Sequence, residues 1–179
     1  TKRGGDKIDI VVPHEGTPID LMNMAKENAV ETLKSLRAQW EADTNKQAES
    51  LAQLQEAFNL TEPPNRIECY DISNTQGTAS VGSMVVFTQG VPNRKLYRRF
   101  NIKTVQGPDD FASMEEVLIR RFKRFVSAQE MQAVGKKLDE AFALLPDILI
   151  VDGGKGQLSK AVKVIDQFNL RGKFTLVGL

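Results

Sequence analysis

The sequence has few of the residues that stabilise small secreted domains or anchor proteins in membranes. Cys69 is the only cysteine among 179 residues, so no internal disulfide can form, which is typical of a reducing cytosol. It contains no run of about 18 apolar residues and no recognisable signal sequence. We therefore expect a cytoplasmic protein without a membrane partner.

An excess of charge of either sign is also missing. The sequence has 24 Lys and Arg against 23 Asp and Glu, so the formal charge of +1 indicates no anionic partner by itself. The only histidine, His14, has no neighbours at metal-ligand spacing, and we expect it at the surface. We expect Cys69 to be a small buried residue rather than a reactive thiol.

Nucleotide-binding signatures are absent as well. The turn Gly153-Gly154-Lys155-Gly156-Gln157 lacks the spacing of G-x-x-x-x-G-K-[ST], and no G-x-G-x-x-G follows a strand. We therefore expect no nucleotide cofactor. A strand-to-helix turn still presents free backbone N–H groups, which suit a phosphate of any origin.

Two short apolar runs, Arg66–Ser73 and Asp147–Gly154, each deliver an aspartate near the end of a predicted strand. Because side chains alternate, Asp71 and Asp152 lie on the same faces as their alternate apolar neighbours. If the strands are parallel and adjacent, about 4.8 Å apart, the carboxylates meet at one edge of the sheet. Oxygen ligands of this kind suit Mg²⁺ or Mn²⁺.

A helical arm precedes these strands. Thr17 and Pro18 begin a helix that no Gly or Pro interrupts until about Leu60, either as one helix or as two with a break near Thr44. We predict residues 1–64 to be a short strand, Ile8–Val12, followed by this arm, and residues 65–179 to be one domain. The chain starts at Thr1 rather than Met and stops after an apolar run, so we expect a piece of a longer protein.

The pattern of the domain predicts an α/β fold with element order β-β-β-α-β-α-β. A turn at residues 73–77 follows the first strand, and a crossover returns the fourth strand parallel beside the first. The later predicted elements are strands at 79–88 and 95–103, helices at 111–125 and 128–144, the strand that carries Asp152, a helix at 157–168 and a strand at 174–179.

Basic residues are concentrated in the second half of the domain. Arg98 and Arg99 lie on the third strand among aromatic residues, and Lys155 follows the second acid. Cations around an acidic pair are what a metal-dependent nuclease needs to hold a phosphodiester backbone. A second cluster, Arg120–Arg124, is equally compatible with a solvated helix face.

Four segments in order resemble the carboxy-terminal endonuclease region of the UvrC family, the incision subunit of bacterial nucleotide excision repair. They are Arg66–Gly77, Tyr97–Ile102, Asp109–Met114 and Asp147–Leu158. The resemblance covers about residues 66 to 179, and the helical arm is similar to the segment that precedes this region in the family.

The resemblance implies a ribonuclease H-like mixed sheet, in which a three-strand antiparallel meander is joined by parallel strands. It also implies that this domain cuts damaged double-stranded DNA on the 5′ side of a lesion once UvrA has loaded UvrB. It implies that Asp71 and Asp152 bind Mg²⁺ or Mn²⁺ and that Asp110 is a third catalytic residue. A helix-capping role for Asp110 remains an equal alternative. We expect Arg98, Arg99, Lys155 and Gln157 to contact DNA.

The family completes its catalytic set with a histidine that has no counterpart in this sequence, and His14 does not match it. We therefore expect weak or absent activity from these 179 residues alone. The alternative is a non-catalytic DNA- or protein-binding module of the same fold, and a nucleotide-binding α/β domain is a more distant one.

Overall fold

The computed structural model describes residues 2–3, 6–7, 15–75, 79–105, 107–136 and 138–179. The predicted strand Ile8–Val12 and His14 lie outside these residues. The chain separates into two compact units, Thr1–Lys46 and Gln47–Leu179. The predicted division between residues 64 and 65 remains a prediction.

The first unit contains a two-residue strand pair and most of a long helix. Strand β1 (Lys2–Arg3) pairs antiparallel with β2 (Asp6–Lys7), and helix α1 spans Thr17–Ala57. Of the two predicted alternatives, the helix is the unbroken one. None of its side chains is buried, and Trp40 is 71% exposed.

A six-stranded mixed sheet forms the centre of the second unit. The strands run in the order β5-β4-β3-β7-β8, and β6 also pairs with β4. Their bounds are β3 Arg66–Thr75, β4 Ala79–Thr88, β5 Val91–Pro92, β6 Arg98–Asn101, β7 Ile148–Val151 and β8 Thr175–Gly178. Three helices connect them, namely α2 Asp110–Ala133, α3 Glu140–Ala143 and α4 Lys155–Gln167.

The predicted pairing of the two acid-bearing strands is confirmed. Strand β3 pairs antiparallel with β4 and parallel with β7, and the parallel register joins Ile67 to Ile148 and Tyr70 to Val151. A short antiparallel meander followed by a crossover through α2 and α3 therefore brings the fourth predicted strand beside the first.

Four predicted boundaries were wrong. Helix α2 continues to Ala133 because no Gly or Pro occurs before Gly135, whose φ of 67° ends the helix. Only Glu140–Ala143 of the second predicted helix is α-helical. The third strand starts at Arg98 because residues 94–96 form a 3₁₀ turn, and β3 extends through Thr75 into the predicted turn.

The core lies between one face of the sheet and helices α2 and α4. Tyr70, Val86 and Leu149 point from the strands towards Val117 and Val164 of the helices, and each is at most 1% exposed. Gly82 of β4 allows α2 to approach closely, because a Cβ there would overlap with Val117. The residues alternating with this set face the other side of the sheet.

A buried charge network attaches α2 and α3 to β3. The Glu68 carboxylate accepts hydrogen bonds from the Tyr70 hydroxyl at 2.6 Å, Arg66 Nε at 2.8 Å and Arg121 at 2.8 and 3.0 Å. Arg121 also donates to the Phe142 and Leu144 carbonyls. Glu68 and Arg121 are both fully buried.

Glu116 of α2 fixes the loop that leaves β6. Its carboxylate accepts the backbone N–H of Lys103 at 3.0 Å and both the N–H and the hydroxyl of Thr104, at 2.8 and 2.6 Å. Burial raises the pKa of Glu116, but the Thr104 hydrogen bonds outweigh it, and the net pKa is lowered.

Among the described residues, no helix combines the length and apolar character needed to cross a membrane.

Candidate metal and nucleic-acid site

The two predicted metal ligands lie side by side where the parallel pairing of β3 with β7 ends. Asp71 lies within β3 rather than at its end, because β3 continues to Thr75 in its pairing with β4. Tyr70 pairs with Val151 at the end of the parallel ladder, and the Asp152 N–H donates to the Tyr70 carbonyl at 2.8 Å. Asp71 and Asp152 follow that pair directly. Neighbouring strands lie about 4.8 Å apart, so the backbones of the two residues are about one strand spacing from each other.

Both acids belong to the sheet face that points away from α2. Tyr70 and Val151 are buried in the core, and side chains alternate along each strand, so Asp71 and Asp152 face the opposite side. Asp71 is half-buried and Asp152 is exposed. The Ser73 hydroxyl donates to Asp71 Oδ2 at 3.0 Å, which orients that carboxylate.

The donor set fits Mg²⁺ or Mn²⁺ as a two-carboxylate site. Among the residues that the structure describes, no group of three or more His, Cys, Asp or Glu side chains could hold a metal ion. Mg²⁺ is commonly bound through one or two carboxylates, with waters and substrate phosphates as the other ligands. Asp71 and Asp152 could hold the ion in this way.

Asp110 is the first residue of α2 but does not cap it. The N-cap is Asp109, whose side chain accepts the Ala112 N–H at 2.9 Å, so the capping alternative for Asp110 was wrong. The Phe111 ring lies against the first turn of α4, since a Cβ on Gly156 would come within 2.7 Å of it. Asp110 is therefore beside the helix that follows Asp152, and its catalytic role stays a prediction.

The first turn of α4 combines Lys155 and Gln157 with free backbone donors. Its N-cap is Gly154, which has no side chain to bond the first N–H groups. Gln157 is half-buried because its amide folds back over Gly153, whose φ of 155° favours glycine. Lys155 is exposed. Their predicted DNA contacts remain predictions.

The two predicted DNA-binding arginines differ in their surroundings. Arg98 donates to both Asp139 oxygens, at 2.5 and 3.4 Å, and to the Lys95 and Tyr97 carbonyls. Arg99 is exposed and pairs in register with Ser83 of β4. Whether Arg98 also contacts DNA remains a prediction, although most of its donors are already engaged.

Most residues of the basic cluster on α2 make contacts within the protein, so the cluster is neither a free cationic surface nor a simple solvated helix face. Arg121 is buried on Glu68, Arg120 bonds Glu116 at 3.1 Å, and Arg124 lies 4.7 Å from the Phe142 ring centre. Only Lys123, among these described residues, is an exposed cation without such a contact.

Cys69 is half-buried on the same sheet face as Asp71. Burial, and next the Glu68 carboxylate, raises the pKa of the Cys69 thiol, so the reactive thiolate is disfavoured. This agrees with its interpretation as a small packing residue.

Sequence reasoning missed Glu68 and the serines around Asp71. Because side chains alternate along a strand, Glu68 and Asp71 point to opposite faces of the predicted strand. If Asp71 points out of the core, Glu68 must point into it. A charge at a core position indicates a buried partner. Ser83 gave no such signal, because its cross-strand partners depend on the register of β3 and β4.

An antiparallel meander joined by a helical crossover to a parallel strand, with an aspartate on each of the two central chain segments where their parallel pairing ends, defines a ribonuclease H-like nuclease fold. Residues 55–179 match the family model described as the UvrC RNAse H endonuclease domain. The chain belongs to this family, and the resemblance inferred from its motifs is confirmed.

Curated relatives support the same conclusion. A UvrABC system protein C from Dehalococcoides mccartyi is 45% identical over 179 residues, covering 100% of this chain and 28% of the relative. Those from Clostridium tetani and Flavobacterium psychrophilum are 42% and 41% identical over 95% and 98% of this chain, and over 28% and 27% of their own length. The chain thus spans less than a third of these relatives.

One solved structure with a partial likeness is endonuclease V from Ciona intestinalis, in complex with a 24mer DNA containing an inosine followed by a ribo-adenosine. It is 12% identical, covers 81% of this chain and 57% of its own, and has a TM-score of 0.42.

Proposed function

We propose that this domain makes the 5′ incision of nucleotide excision repair by metal-dependent hydrolysis of a phosphodiester bond. The observation that carries the proposal is the adjacency of Asp71 and Asp152 where the parallel pairing of β3 with β7 ends. Membership of the UvrC endonuclease family supports the same reaction class. Damaged double-stranded DNA is the proposed substrate, and UvrB, loaded by UvrA, is the proposed partner.

Asp71 and Asp152 are the proposed ligands of Mg²⁺ or Mn²⁺. The bound ion would supply Lewis-acid polarisation of the scissile phosphate and a lower pKa for an attacking water. Ser73 supports the site by holding one Asp71 oxygen, which leaves the other oxygen for the cation. Exposed Asp152 gives the substrate access from solvent.

Asp110 and the first turn of α4 are proposed to act on the substrate around this pair. Asp110 is the third catalytic candidate, since its helix begins beside α4. Lys155 and the backbone N–H groups after Gly154 offer positive charge to a phosphate close to Asp152. Gln157 is an amide donor in the same turn.

Metal binding is the first test. Titrating Mn²⁺ into the 179-residue chain, followed by calorimetry or Mn²⁺ electron paramagnetic resonance, should give a site that Asp71→Asn and Asp152→Asn each weaken at least about tenfold, since each removes one of two charged ligands. Glu140→Gln, an exposed acid on α3, is the control. A site indifferent to both aspartates would contradict the proposal.

Incision is the second test. In a full-length UvrC carrying this domain, Asp71→Asn should abolish the 5′ cut on a lesion-bearing duplex and leave the 3′ cut intact, because it keeps the side-chain shape and removes a charge. Loss of both cuts would indicate a folding defect instead. Robust Mn²⁺-dependent nicking by residues 1–179 alone would contradict the expected weak activity of the fragment.

A further inference from the structure

Arg98 and Arg99 are neighbours in the sequence but belong to opposite faces of the sheet. Arg98 pairs in register with buried Met84, and its guanidinium lies 5.7 Å from the Phe142 ring centre on the core side. Arg99 pairs with Ser83, on the side away from the helices. The alternation of side chains along β6 therefore separates one packing arginine from one open arginine.

Arg99 shares a cross-strand row with the acid pair. Ser83 of β4 is in register with Arg99 of β6 on one side and with Asp71 of β3 on the other, and Asp152 follows on the next strand. The row therefore reads Arg99, Ser83 and Asp71 across three neighbouring strands, followed by Asp152 directly after the end of β7. With strands about 4.8 Å apart, the Cα of Arg99 lies roughly 10 Å from that of Asp71.

The composition of this row suits a phosphate chain. Within the described part of the chain, Arg99 is exposed and has no ion pair or hydrogen bond from its guanidinium, so its donors are available to a ligand. Ser83 is a short, half-buried side chain between the cation and the acids. Guanidinium groups bind phosphate oxygens in bidentate geometry.

We propose that the DNA strand crosses this face of the sheet along the row, perpendicular to the sheet strands. Arg99 holds a backbone phosphate on β6 while a second phosphate lies at Asp71 and Asp152, and Ser83 lies beneath the segment between them. Arg98 takes no part and instead ties β6 to Asp139. This inference rests on the proposed nuclease function and adds to it the path of the substrate and a positioning residue.

The test is binding of the 179-residue chain to a short fluorescein-labelled DNA duplex, in EDTA and over a series of salt concentrations. Arg99→Ala should weaken binding roughly five- to tenfold and lower the slope of log K against log salt by about 0.9, the value for one lost phosphate contact. Arg99→Lys should restore most of the slope, since the charge is kept.

Two matched variants separate this contact from a general basic patch. Arg94→Ala removes the same side chain from an exposed position outside the row and should leave the slope unchanged. Arg98→Ala should lower the melting temperature, because the ion pair with Asp139 is lost, and should leave the slope of log K against log salt unchanged. Equal slopes for Arg94→Ala and Arg99→Ala, or no measurable binding by the wild-type chain, would overturn the proposal.

Asp71→Asn tests whether the same strand passes over the acids. Without metal, a carboxylate repels a nearby phosphate, so this variant should bind DNA roughly two- to fivefold more tightly. An unchanged affinity would mean that the strand bypasses Asp71 and would refute the path even if Arg99 binds DNA. Because these measurements need neither metal nor cutting, they can fail or succeed independently of the incision assay.

Discussion

Removal of the Glu68 carboxylate should be among the most damaging single changes in the domain. Glu68→Ala leaves the guanidinium groups of Arg66 and Arg121 buried without a carboxylate, and their remaining acceptors are neutral, mainly the carbonyls of Ala141, Phe142 and Leu144. Breaking one partner of a buried ion pair typically costs about 3–5 kcal/mol. Domains of this size are stable by about 5–15 kcal/mol, so a large share of the stability would be lost.

The change should be measured by calorimetry and by near-ultraviolet circular dichroism of the buried Tyr70. Fluorescence of the single tryptophan would not report on this domain, because Trp40 is exposed on α1 in the other unit. The expected loss corresponds to a fall in melting temperature of about 10–20 °C. Arg171→Ala is the control, since its pair with Asp166 is largely exposed and screened by solvent and should contribute little to stability.

The same carboxylate makes stability depend on pH. Burial raises the pKa of Glu68, but the charges of Arg121 and Arg66 outweigh it, and its net pKa in the folded state is lowered. The contribution is therefore complete above the unfolded value of about 4.3 and is lost as the pH falls through the lower folded value. The difference in the free energy of unfolding between wild type and Glu68→Ala should therefore decrease as the pH falls through this lower value. A variant within about 1 kcal/mol of wild type at pH 7 would refute this reasoning.

Two further changes test the packing of α2. Gly82→Ala should cost roughly 1–3 kcal/mol, because the added methyl overlaps with Val117, and Val117→Ala in the same chain should recover part of the loss in urea unfolding. Glu116→Gln should cost about 1–2 kcal/mol by weakening the bonds from Lys103 and Thr104, with faster amide exchange at both residues. Unchanged exchange would contradict the role of Glu116.

Local sequence pattern predicted the strands that carry the site because alternation and turn residues are local signals. The apolar run before Asp152 and the turn glycines after it correctly indicated a strand followed by a helix. The parallel pairing followed from the crossover rule, and the face shared by Asp71 with Cys69 followed from period two.

Other features depended on long-range contacts that the pattern does not contain. Alternation along a strand places Arg98 and Arg99 on opposite faces, but the pattern does not say which of them faces the core, because that depends on Asp139, 41 residues away, and on the pairing with Ser83. The buried role of Arg121 was hidden for the same reason, since its partner Glu68 is 53 residues earlier in the chain. From the charge pattern alone, Arg98 and Arg121 each belong to a cluster of basic residues.

The alternation of charge and apolar residues in β3 makes an incorrect alignment of this strand costly. Sliding β3 by one residue would turn Asp71 into the apolar interior without a cation and carry Glu68 out to water, away from Arg121. Misfolded pairings would thus lose an ion pair and gain an unpaired carboxylate in a single step. Glu68 in the buried network and Asp71 on the opposite face are therefore compatible with only one register of β3.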